Sequence, residues 1–199
     1  SQRVKIGSSS AGGIAGRPGT TPSPVLTARL VQAAVELGFG RHLRVQEALA
    51  WLEESPAAWS GDALQRAVVG AALAAALAGR PELGRQTLRD RTAAVLLDAV
   101  ADLDPAWERL GHPNLARTDV GEMLWALARS GAPFEPRLAA PLARLQRRQG
   151  DGGRWPRTAP RPASLPIPSR FHVAVDPCCQ WVTLRAVVAV NAYAVPARL

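Results

Sequence analysis

The 199-residue sequence is short of several things, and each shortage narrows the reading. It has only two cysteines, Cys178 and Cys179, and they are adjacent. Neighbouring cysteines rarely bond to each other, so no disulfide framework holds this chain. Lysine occurs once, at Lys5, among a large excess of arginine. Aromatic residues make up 5% of the chain, too few to interleave with basic residues as a base-stacking surface requires. Long apolar runs are missing. The longest, Ala67 to Ala78, falls well short of the ~20 residues of a membrane span and reads as a buried helix. Residues 1–24 lack the apolar segment of a signal peptide. These features lead us to expect a cytoplasmic protein that does not span a membrane.

The net charge of +8 is placed unevenly. Between Leu26 and Gln149 arginines and acids nearly balance, and the excess lies in the N-terminal arm and beyond Gln149. A basic arm can meet a polyanion, but the scarcity of interleaved aromatics argues against nucleic acid as a partner.

Alanine, leucine and arginine dominate the middle, and all three favour helix. Valine and isoleucine are too scattered for a sheet, so the class is all-α. Residues 1–22 form a flexible Gly/Ser/Thr/Pro arm without enough apolar surface to fold alone. The rest, 23–199, reads as one helical-hairpin domain with a Pro-rich loop at about 156–177.

Seven helices are expected. Ser23 caps the first and Pro24 opens it, with Leu26, Leu30, Ala34 and Leu37 on one face and Gly38 ending it. The second covers about 44–54 and buries Val45, Leu49 and Leu52, with Trp59 in the loop beyond. Ser60 or Asp62 caps the third, an alanine-rich helix whose small residues suit a place between two neighbours. The fourth spans about 84–101. Asp119 and Glu122 resemble a capping box opening the fifth, with Val120, Leu124 and Leu127 aligned. The sixth runs from Arg137, with Leu138, Leu142 and Leu145 on one face. The seventh covers about 180–193, with Trp181, Leu184, Val188 and Ala192 as its face.

An internal match accompanies these helices. Leu30, Gly38, Arg44, Val45, Leu49 and Leu52 recur 93 positions later as Met123, Gly131, Arg137, Leu138, Leu142 and Leu145. Trp59 recurs as Trp155 at a slightly larger offset. Helical hairpins that recur in this way stack into solenoids or rings.

The turn after the sixth helix carries Gln149, Gly153 and Trp155. That spacing resembles the QW motif of the terpenoid cyclases, which share an α/α-toroid fold with the protein prenyltransferases. In that family the Gln amide caps a neighbouring helix and the Trp ring stacks on it. The segment Gln180 to Ala186 is similar to the last helix of bacterial prenyltransferase-like and squalene-cyclase-like proteins. The resemblance covers about Ser23 to Tyr193. It implies stacked antiparallel hairpins forming part of a toroid, since a full ring has twelve helices and seven are found.

The chemistry that the resemblance implies is incomplete. Cyclases of this fold protonate their substrate with Asp-x-Asp-Asp, and the nearest approach is Asp102-Leu103-Asp104. No Asp-Asp-x-x-Asp is present to hold magnesium and diphosphate. Prenyltransferases hold zinc through Asp-x-Cys and a distant downstream His. Asp176-Pro177-Cys178 has the spacing, but its nearest histidine, His172, lies upstream. With Cys179 these residues are the candidate zinc ligands; otherwise no cofactor is expected. Asp119 is the candidate cavity acid, set against the plain reading of an N-cap. Trp125 is the candidate pocket wall.

Two functions follow. One is a non-catalytic subunit or binding module that meets a protein partner or a second copy. The other is an isoprenoid-handling enzyme with a non-standard active site, binding an apolar isoprenoid ligand.

Overall fold

A computed structural model describes residues 22–158 and 180–194, apart from 103, 113, 115 and 116. The N-terminal arm, most of the Pro-rich loop and the zinc candidates His172, Asp176, Cys178 and Cys179 lie outside the described residues. Among the described residues the protein is all-helical. It has eight α-helices, where seven are expected from the sequence, joined by short 3-10 turns.

The helices are α1 (Pro24–Glu36), α2 (Leu43–Glu54), α3 (Pro56–Trp59), α4 (Ala63–Leu77), α5 (Gln86–Ala101), α6 (Val120–Ser130), α7 (Ala139–Arg147) and α8 (Gln180–Tyr193). The extra helix, α3, is a single turn. Pro56 supplies the helical φ at its start, so the expected loop winds once before Trp59. The Ser23 hydroxyl caps α1, accepting from the Leu26 amide at 3.3 Å. Of the two candidate caps for α4, Asp62 serves, accepting from the Gln65 amide at 2.7 Å.

The chain end of α1 is built like that of α6. Gly38 (φ 90°) and Gly131 (φ 77°) both turn into the left-handed region that favours glycine. The amide of Phe39 reaches the Ala34 carbonyl at 2.8 Å, and that of Ala132 reaches Leu127 at 3.2 Å. The second pair sits 93 residues after the first.

Helices α1, α4, α6 and α8 form a row in which each packs on the next. Helix α2 leans on α1, α5 lies against α4 and α6, and α7 meets α6 and α8. Two apolar cores result. One joins α1, α2, α3 and Leu88 of α5 to one side of α4, and the other joins the opposite side of α4 to the rest of α5 and to α6, α7 and α8. Helix α4 is buried without interruption from Ala67 to Leu77, as its small side chains suggest. Arg89 of α5 closes its end, donating to the carbonyls of Leu77 and Arg80.

The two end helices of the row correct the sequence reading. In α1 the buried residues are Thr27, Ala28, Val31 and Val35, while Leu26, Leu30 and Leu37 are exposed. In α8 the buried residues are Val182, Ala186, Ala189 and Tyr193, while Trp181 and Leu184 are exposed. Small residues let each end helix settle close to its neighbour, so the bulkier stripe is left outside.

Candidate functional site

The polar centre of the molecule forms where α6 begins. Asp119 is its N-cap, with Oδ1 accepting from the Glu122 amide at 2.9 Å. Asp119 Oδ2 accepts from the Gly111 amide at 2.9 Å and from Asn114 Nδ2 at 2.8 Å. Both oxygens are therefore held, and the residue is buried. Burial and the neighbouring Glu122 charge push its pKa up, opposed by these three donors.

Glu122 makes only half of the expected capping box. Its carboxylate turns away from the Asp119 amide to face arginines. Arg29 of α1 grips it with two hydrogen bonds of 3.0 Å, and Arg185 Nη2 of α8 lies 3.2 Å from Oε1. Asn114 Nδ2 adds a third donor at 3.1 Å. Glu122 is 1% exposed. Burial would raise its pKa, but the Arg29 and Arg185 charges outweigh burial and hold it low. One carboxylate thus ties three helices of the row together.

Aromatic rings surround this node. The Arg185 guanidinium lies 5.1 Å from the ring centre of Trp125, and Arg129 lies 5.2 Å from it. His112 stacks on Trp181 with ring centres 5.5 Å apart. Burial and the Arg185 charge lower the His112 pKa to about 4, against a pull from Glu122, so the imidazole is neutral at pH 7. Four buried polar atoms have no protein partner among the described residues: Arg29 Nε, His112 Nδ1, Thr118 Oγ1 and Arg185 Nη1.

Asp102 and Asp104 are exposed where α5 ends. Among the described residues, the hydrogen-bond partners of Asp119 are Gly111, Asn114 and Glu122. Trp125 is half-buried between its two arginines. It does not line the described cleft, an open groove of about 340 Å³ along α8 formed by Arg154, Gln180, Thr183, Leu184 and Val187.

The QW-like turn is a structural tie. Trp155 is 2% exposed, its indole N–H donates to the Leu145 carbonyl at 2.7 Å, and its amide donates to Thr183 Oγ1 of α8 at 3.1 Å. Gln149 is exposed, and its amide nitrogen lies 3.4 Å from where a Cβ would stand on Gly153. That is an ordinary contact distance; it is the φ of 76° at Gly153 that favours glycine there. In the first hairpin, Trp59 donates to the Leu52 carbonyl at 2.7 Å. Leu52 and Leu145 are again 93 residues apart.

Sequence reasoning placed Asp119 but missed the three-helix ion cluster. One signal was available. Arg29 and Glu122 are 93 positions apart, so opposite charges occupy matched positions of the two hairpins. A comparison with known protein families, curated proteins and solved structures found no match.

Proposed function

We propose that this chain is a non-catalytic helical module, resembling part of an α/α toroid, that works by binding a protein along the ends of its helix row. The observation that carries this reading is the pair of uncovered stripes. In both end helices the apolar stripe that the sequence marks as core faces outward. Helix α8 is apolar on nearly every side, a pattern found in helices enclosed by neighbours. Exposed apolar stripes of this kind mark interaction surfaces. The toroid-like arrangement is supported by the row itself and by hydrogen bonds that recur at a spacing of 93.

The ion cluster fits the same reading. Its acids are occupied by fixed donors, which suits a clasp between helices better than a proton donor. The second reading, an isoprenoid-handling enzyme, draws on the unpartnered Arg185, Arg29 and Thr118 atoms beside Trp125 and His112. Those atoms can donate to an anionic group such as a diphosphate.

A direct test separates the two. The purified chain is incubated with squalene, with farnesyl diphosphate and with a thiol peptide acceptor, and products are sought by mass spectrometry. The module reading expects none. Product formed by the monomer overturns it.

A further inference from the structure

The two uncovered stripes lie at opposite ends of one row, and they differ in shape and charge. On α1 the stripe is Leu26, Leu30, Ala33 and Leu37, at helical spacing, bordered by the exposed carboxylate of Glu36. On α8 it is Trp181, Leu184 and Val187, beside the open cleft that Arg154 helps to line. One face is a ridge of aliphatic side chains with an acid, and the other is a groove with a base.

The molecule also holds an internal pattern for what such a ridge does when a neighbour is present. Leu30 is 42% exposed, whereas Met123, its counterpart 93 residues on, is 0% exposed. The difference lies in the row: within it α6 has α4 on one side and α8 on the other, while α1 has α4 alone, with α2 and α3 packed beside it. The α1 ridge is thus missing the second row neighbour that α6 has. Helix α8, in turn, has α6 on one side and its groove on the other.

We propose that the occupant of the α8 groove is α1 of a second copy of this chain, joined head to tail so that the row continues from one molecule into the next. The proposal rests on the reading of the row ends as docking faces and names their partner. The ridge supplies Leu30 and its neighbours to the groove at Leu184 and Val187, and Glu36 approaches Arg154 across the joint. Apolar burial drives the contact, and the opposite charges set its direction. A joint between two different faces is heterologous, so each copy offers one ridge and one groove and the assembly grows or closes as a ring.

Sedimentation velocity on the purified full chain tests this with two variants, Leu30→Gln and Leu184→Gln. Both positions are exposed, so the fold is retained, and far-ultraviolet circular dichroism verifies it. Leu26→Gln and Val187→Gln substitute for either variant that fails that check. The wild type is expected to form dimers or larger species as concentration rises. Each variant alone is expected to stay monomeric across at least a tenfold range in which the wild type assembles. An equimolar mixture of the two is expected to give dimers and nothing larger, because one ridge and one groove remain intact in each mixed pair. If either variant alone assembles like the wild type, the joint is not head to tail and the proposal falls. A wild type that stays monomeric throughout also overturns it, and leaves standing the broader reading that the row ends bind a different protein.

Discussion

The indole of Trp155 donates to the carbonyl of Leu145 at 2.7 Å, ten residues back along the chain. The backbone amide of the same residue donates to Thr183 Oγ1 of the last helix at 3.1 Å. One residue therefore closes the end of α7 through its ring and ties the chain after the glycine turn to α8 through its amide.

Trp155→Ala should lower stability by roughly 3–5 kcal/mol, the usual cost of removing a buried large aromatic side chain. Trp155→Phe keeps much of the bulk but loses the indole donor, so the Leu145 carbonyl keeps the Arg148 amide and loses its shorter hydrogen bond. It should cost less, about 1–3 kcal/mol. Urea denaturation of both variants checks the order. Equal stability of Trp155→Ala and the wild type would show that the ring is not a tie.

Glu122→Ala should be strongly destabilising, by about 3–5 kcal/mol, because Arg29 and Arg185 would be left as buried charges without their counter-ion. Replacing Glu122 and Arg29 together by Leu and Met should cost less than the two single changes added. A double-mutant cycle by denaturant unfolding measures that coupling. Strict additivity would mean that the two side chains do not act as a pair.

Acid should weaken the fold through His112. Its folded pKa is lowered to about 4, below the unfolded value of 6.5, so the unfolded chain takes up a proton first. The stabilising contribution is present above pH 6.5 and is lost as pH falls toward 4. Asp119, whose pKa is raised, has the opposite sign and favours the fold in its protonated form. Arg185 and Glu122 face the imidazole and set its environment. Stability measured at pH 7, 5.5 and 4.5 should fall, and His112→Gln should flatten the slope. An unchanged slope in that variant would remove His112 from the account.

Zinc is expected to be absent from the purified protein. The candidate ligands Asp176, Cys178, Cys179 and His172 do not have the downstream histidine of the prenyltransferase pattern. Metal analysis decides this: one zinc per chain, lost in Cys178→Ser, would contradict the expectation.

The sequence marked where helices lie more reliably than which way they face. Periodicity located α2 and α6 together with their buried residues, because in both the bulkiest stripe is the core. The alanine run of α4 announced a helix between neighbours. In α1 and α8 the same rule chose the wrong side. Leu26, Leu30 and Leu184 outrank Ala28 and Ala186 in hydrophobicity, yet the alanine side is what lets the backbones approach. Asp119 was readable as a cap from its local context. The clasp of Glu122 by Arg29 and Arg185 was not, because it joins residues far apart in sequence and depends on how the row is assembled.

Stacks of helical units commonly fray from their ends, since each unit leans only on the next. Helix α4 changes that here. Both apolar cores are built on opposite sides of the same eleven buried residues, Ala67 to Leu77. Melting either half strips one side of that helix to water, and an alanine-rich segment with one bare flank holds the other half poorly. The two halves are thus bound to a single cooperative transition, although the described residues build two cores.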